Sequence, residues 1–422
     1  MGITHKVNRR MGKASVMAPT KILAVLCVVV FLLISAVALL TAPASPAAAE
    51  AVANPEVGNL IVLHLGGGDL ASQVVDRLEE MGAEAIDSTD IPEAVEPGPD
   101  VIVIFGGQWF EQRMYETTLH DFLRAASSAG AGVVMAGGST SKFLEALDRA
   151  GTLEIPVTET GQIRNPAYFD PPMVGVGSKT GGGHVGPSLF FSDTSNPDVL
   201  AESLVRWLRS TLAVPAMPAD AGAPYSGFVT EYNYLPLLDS ELYGRLNVTV
   251  PIYKLMNDHV ADYDWYLYRV EVQSVAGKIA YSSPWVTDYT WAHHLVAEGG
   301  ADRWLDDYDP TTTYGMAAVD VSFWPNFDPW SYSIKDVMVL DYSDYPEQTA
   351  YWQHDIDQRK AVAQTSYLSE PGFEVMTTQD NPPLVDAWYQ VRFAKPFLWF
   401  WWSTKTVGPS PILFLDAVQA GD

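Results

Sequence analysis

A single cysteine, Cys27, stands among 422 residues, and it lies inside an apolar N-terminal run, so everything beyond it lacks a thiol. Disulfides, thiolate catalysis and Cys-ligated zinc are excluded from that part. Positive charge is the next scarcity: 25 Lys and Arg face 51 Asp and Glu, a formal net charge of −26. Such a surface repels phosphate backbones, so no nucleic-acid partner is expected. Recognisable catalytic spacing is also missing. The Gly-rich turns that follow the apolar strands fit neither GxGxxG nor GxxxxGK[ST], and Ser139 does not stand in a G-x-S-x-G elbow. No cofactor, no metal and no catalytic residue is expected, and the chain does not read as an enzyme.

What the first fifty residues do have is an export segment. Lys6, Arg9, Arg10, Lys13 and Lys21 precede an apolar run from Ile22 to Ala42, then Pro43, Pro46 and Ala47-Ala48-Ala49. The run is longer than a signal-peptide core and close to the ~20 residues that span a bilayer. Residues 1–50 are expected to be a signal peptide or an N-terminal membrane anchor through 22–42, and the rest is expected to be extracellular or at the cell surface.

Residues 58–212 alternate buried-type strands with helical patterns. Leu60–Leu65, Val101–Phe105 and Gly132–Ala136 are apolar runs of strand length, each followed by a Gly turn. Helices are expected over Leu70–Met81, Glu111–Ser128, from Ser139 onward, and over Asp198–Leu212. That order predicts a parallel sheet covered on both faces, a flavodoxin-like or amidotransferase-like α/β sandwich. The stretch Thr152–Phe191, rich in Gly and Pro, reads as loops around one or two edge strands. The three turns form a possible ligand rim: Gly66, Gly67, Gly68, Asp69, Gly106, Gly107, Gln108, Gly137, Gly138 and Ser139. The plainer reading is that these glycines permit tight strand-to-helix turns.

Residues 213–224 read as a linker, and beyond them the period becomes two. Leu246, Val248, Val250 and Ile252 alternate with polar neighbours, as do Tyr266, Tyr268, Val270 and Val272. Residues 225–422 are expected to form an antiparallel β-sandwich carrying eleven of the thirteen Trp. Two aromatic runs stand out as membrane- or glycan-contact residues, since Trp and Phe offer large apolar faces. One is a Pro-punctuated hairpin tip with Phe323, Trp324, Phe327 and Trp330. The other, Phe397 to Trp402, contains Trp399, Trp401 and Trp402, and its plainer reading is a strand buried between two sheets. Asn247-Val248-Thr249 is a glycosylation sequon.

The last two hundred residues resemble the leukocidin/hemolysin family of β-pore-forming toxins in their order of features. The matching pieces are the hairpin region Asp306–Tyr342, Ser366–Phe373, and Trp388–Arg392 leading into Phe397–Trp402. The resemblance implies a β-sandwich interrupted by a hairpin stem, membrane binding and a homo-oligomer. Asp320, Lys335 and Asp336 interrupt the alternation that a spanning stem needs. Three function classes follow: a leukocidin-like module that binds lipid or assembles with itself, a glycan-binding surface protein, and a hydrolase or ligand sensor using the Gly-rich rim.

Overall fold

The computed structural model describes residues 59–92, 100–155, 166, 170–181, 183–212, 225–297, 302–323, 327–379, 381–397 and 401–420. The export segment, Cys27 and the expected linker 213–224 lie outside them. Residues 55–422 form one compact unit, mostly β. Its first four strands, β1 (Ile61–Leu65), β2 (Glu84–Ser88), β3 (Val101–Gly106) and β4 (Gly132–Ala136), pair in parallel in the order β2-β1-β3-β4. Every residue of β3 and β4 is buried because helices cover both faces. On one face α1 (Asp69–Glu80) presses Val74, Val75 and Leu78 against Leu200, Leu204 and Trp207 of α5 (Pro197–Leu212). On the other, beyond the short α2 (Gly107–Arg113), lie α3 (Thr117–Ser128) with Leu119, Phe122 and Leu123, and α4 (Thr140–Arg149) with Phe143, Leu144 and Leu147.

The sheet does not end at β4. β5 (Met173–Gly181) joins β4 antiparallel, β6 (His184–Ser192) joins β5, and β7 (Tyr225–Ser240) pairs parallel with β6. β8 (Gly244–Met256) and β9 (Tyr263–Arg269) follow, then β18 (Gly372–Thr378) and β12 (Arg303–Asp309). With β10 (Glu271–Ala276) and β17 (Ser366–Ser369) on a side path, the sheet has thirteen strands. β5 and β6 are thus central, not the edge strands expected of that stretch. Their glycines serve packing: a Cβ at Gly177 would come 3.2 Å from the Trp207 indole, and one at Gly186 only 2.0 Å from the Val229 carbonyl.

A second sheet runs β15 (Val337–Asp341), β16 (Thr349–Ile356), β11 (Val286–Val296), β19 (Val385–Phe397), β20 (Trp401–Val407), with Leu413–Phe414 added on β19. β13 (Ala318–Phe323) and β14 (Phe327–Ser333) form a separate hairpin. Val248 and Val250 of the first sheet share a core with Trp352, Val391 and Phe393 of the second, and the same cluster continues to Leu63 and Val103. Gln419–Ala420 returns to pair with Leu153–Glu154. One sheet and the larger of two buried clusters pass through both portions, so the expected split into an α/β sandwich and a separate β-sandwich is not confirmed. Among the described residues no helix is long and apolar enough to cross a membrane.

Candidate functional site

The three Gly turns do meet. Gly66 to Leu70, Gly107 to Trp109, Gln112, Ala136 and Gly137 line one cleft of about 530 Å³ at the carboxyl ends of β1, β3 and β4. Gly106, Gly138 and Ser139 do not line it. The glycines are explained by backbone contact: a Cβ on Gly107 would fall 1.1 Å from the Gly137 carbonyl oxygen, and one on Gly106 would fall 1.6 Å from that of Gly67. The anion-binding potential of the α4 N-terminus is used internally. Ser139 N–H donates to Glu111 Oε1 at 2.8 Å and Thr140 N–H to Asp170 Oδ1 at 2.9 Å, while Lys142 Nζ holds the other Glu111 oxygen at 2.5 Å. Lys142 and the Ser139 amide keep the Glu111 carboxyl below its ordinary range. The first amides of α4 are thus taken by the chain's own carboxylates.

Close backbone approach makes a sharp expectation. Gly107→Ala forces two turns apart and lowers unfolding stability in urea by about 3 kcal/mol. Gly67→Ala, where nothing lies within 4 Å of the added Cβ but φ is +61°, costs about 1–2 kcal/mol. Equal losses would mean that contact between the turns is not what selects glycine.

The two aromatic runs exchange the roles expected of them. In the β13–β14 hairpin the rings face inward: Phe323 is 1% and Phe327 7% exposed, with Val319, Val321 and Tyr332 beside them in the core. Trp330 is half-buried, lies against Gly372, and donates its indole N–H to the Glu370 carbonyl at 2.8 Å. Trp324 lies outside the described residues. Asp320 does not break the alternation; it falls on the outer face opposite Ser331. These residues are held by packing, which corrects the expectation of an exposed tip at Phe323 and Phe327.

The second run is the exposed one. β19 and β20 form an antiparallel hairpin in which Pro396 faces Trp402 and Phe397 faces Trp401. Phe397 is 56% and Trp401 62% exposed, against the expectation of a strand buried between sheets. Leu398, Trp399 and Phe400 complete the sequence of the tip and lie outside the described residues. Trp402 is partly buried and walls a groove of about 1000 Å³ together with Met316, Met338 and Arg392. From Ala387 to Leu415 the chain carries Arg392, Lys395 and Lys405 and no acid, within a chain of net charge −26. Lys395 Nζ lies 5.0 Å from the Trp285 ring centroid and Arg392 Cζ 4.3 Å from that of Tyr289, so these cations rest on aromatic faces near the tip.

Other sequence candidates resolve into structure. His293 and His294 point to opposite faces of β11; His294 is buried and the His293 ring lies 4.0 Å from that of Trp388, tilted 35° to it. The Asn247 side chain is buried, with its amide donating to Gln273 Oε1 at 3.0 Å, so the sequon is not presented for glycosylation. Among the described residues no three His, Cys, Asp or Glu converge as metal ligands.

No known protein family and no curated protein matches this chain. Among solved structures, Clostridium perfringens delta-toxin matches over 48% of this chain and 91% of its own, at 7% identity and a TM-score of 0.33. A structure titled "Pore forming protein" matches over 46% and 89%, at 7% identity and 0.26. The Clostridium perfringens NetB toxin in its membrane-inserted form matches over 46% and 94%, at 7% identity and 0.24. These likenesses are weak.

Proposed function

We propose that the chain is an exported protein that attaches to lipid surfaces through the β19–β20 tip. The observation that carries this is the exposure of Phe397 and Trp401, paired across a hairpin that carries Lys395 and Lys405 on its two strands. Exposed aromatic rings of this kind suit the boundary between headgroups and acyl chains. Lys395 and Lys405 each add about 1 kcal/mol near an anionic surface, whereas Arg392 is already paired with Asp288.

Attachment is proposed without perforation. β13 and β14 comprise six and seven residues, fewer than the ~9–11 that each strand of a spanning hairpin needs, and their apolar face is packed into the core.

The test is flotation of residues 55–422 with phosphatidylcholine vesicles, with and without phosphatidylglycerol, beside dye-release measurements. The protein is expected to float, more with the anionic lipid, while the dye stays inside. Failure of the folded protein to float with either vesicle would sink the reading. Dye release would overturn the claim of attachment without perforation, and vesicle-independent sedimentation of large species would point instead to self-assembly.

A further inference from the structure

A second recess lies on the first sheet, where the α/β and β portions fuse. Strand alternation sends Leu246, Val248, Val250 and Ile252 into the core and turns the neighbouring polar side chains to the opposite face. There they line a cleft of about 480 Å³ between the sheet, α5 and β17. The size lies within the ordinary range for small-ligand sites.

At its floor is a buried ion pair. The side chains of Lys179 and Glu231 are 10% and 2% exposed, and Glu231 also accepts from Ser188 Oγ at 3.0 Å and Asn233 Nδ2 at 2.9 Å. Ser188 Oγ in turn accepts from the Trp207 indole N–H at 2.9 Å. Removing two charges from water is costly, and a buried pair is a poor source of stability compared with apolar packing. A fully wired pair opening onto a cleft therefore points to function.

Around it the groups are unevenly matched. Arg269 pairs with Glu370 at 2.8 Å, with Glu271 3.5 Å away. Arg206, on α5 at the mouth, donates to Gln273 Oε1 at 3.0 Å and makes no ion pair among the described residues. Its remaining planar donors suit a carboxylate bound in bidentate fashion. Thr249, Gln273 and the Tyr253 ring provide hydroxyl, amide and flat apolar surface in the same cleft.

We propose that this cleft binds a small hydroxylated carboxylate of the sugar-acid type, its carboxylate on Arg206 and its hydroxyls on Thr249 and the Glu231–Asn233 network. Glu271 makes the affinity depend on pH. Burial, with Glu370 and Glu231 nearby, pushes its carboxyl up to about 7, against the opposing pull of Arg269 and Lys179. The groups facing it are Arg269 on its own chain segment, Glu370 before β18, Glu231 on β7, Lys179 on β5 and Tyr253 on β8. Ionisation of Glu271 adds negative charge to the cleft, so an anion binds more weakly as pH rises through about 7.

The experiment is calorimetric titration of the full chain with glucuronate, with glucose and acetate as partial mimics, and with unfolding curves to verify each variant. Glucuronate is expected to bind saturably at about pH 6, with glucose and acetate at least about tenfold weaker. Arg206→Gln weakens glucuronate about tenfold or more. Affinity falls between about pH 6 and pH 8, and Glu271→Gln removes that dependence. Absence of saturable glucuronate binding, equal binding of acetate, or indifference to Arg206→Gln in a folded variant would each overturn the assignment.

Discussion

Replacing Phe397 and Trp401 together by Ser reduces vesicle binding by about two orders of magnitude and leaves thermal unfolding nearly unchanged. Burying a large apolar side chain contributes about 1.5–3 kcal/mol, and these two rings begin roughly half exposed, so each has about 1–2 kcal/mol to gain from lipid. Their sum, about 3 kcal/mol, corresponds to roughly a hundredfold in affinity. Stability is spared because neither ring is in the core. The opposite outcome is expected at the other aromatic run. Phe323→Ala removes a side chain that is 1% exposed and costs about 3–5 kcal/mol of stability, with binding per folded molecule unchanged. If the double substitution leaves flotation intact, or Phe323→Ala abolishes it in folded protein, the assignment of the two runs is reversed.

The second large effect is a loss of stability in acid. His294 and His354 are both 1% exposed, and burial pushes each imidazole down to about 3. His294 is locked as a neutral tautomer: its Nδ1 faces the Ala350 carbonyl at 3.3 Å and must donate, which leaves Nε2 to accept from the Tyr389 hydroxyl at 2.9 Å. His354 Nε2 hydrogen-bonds the Tyr332 hydroxyl of β14 at 2.9 Å, tying the inward hairpin to β16. Because the folded values lie below the unfolded value near 6.5, the stability these groups contribute is complete above about 6.5 and is lost as pH falls toward 3. Glu271, raised to about 7, acts in the opposite sense, since it takes up its proton in the folded state first. Between about pH 5 and pH 6.5, two histidines against one carboxyl leave the unfolded chain about one proton richer, a slope of about 1.4 kcal/mol per pH unit, which Asp306 and Asp309, raised by burial, oppose at the acid end. The more open His293, lowered to about 4, and Asp193, raised to about 6, oppose one another and largely cancel. Melting temperatures measured from about pH 7 to pH 4.5 are expected to fall steadily, and His354→Gln to flatten that fall. A flat profile in the parent protein would remove the buried neutral histidines from the account.

The sequence made some of this legible and not the rest, for reasons that lie in particular residues. β3 and β4 announce themselves because both faces are covered, leaving unbroken apolar runs. β2, Glu84–Ser88, is a polar edge strand and carries no such run. β5 and β6 were obscured by glycines that mark packing against Trp207 and Val229 but look like loop residues. In the β13–β14 hairpin the strict alternation of Val319, Val321 and Phe323 with Ala318, Asp320 and Ser322 already carries the inward face, and the Pro-rich turn drew attention away from it. Phe397 to Trp402 is apolar on both faces, a pattern shared by a doubly covered strand and by a free tip, so periodicity alone cannot separate them. The cleft around Glu231 and Glu271 was hidden for a related reason: Asn247, Thr249 and Gln273 read as the solvated side of a half-buried strand, and only the position of α5 and β17 makes that side a recess.

Attachment through the β19–β20 tip can be measured directly because residues 55–422 contain no cysteine. Pro396→Cys, exposed and adjacent in the chain to Phe397, and Asp320→Cys, exposed on the outer face of β13, each accept an environment-sensitive dye at a single position. On mixing with anionic vesicles, the dye at 396 is expected to shift to the blue and to be quenched by bromine-labelled acyl chains, while the dye at 320 stays in water. A dye at 396 that remains in water on vesicles that bind the protein, or one at 320 that enters the acyl region, would contradict attachment by this tip.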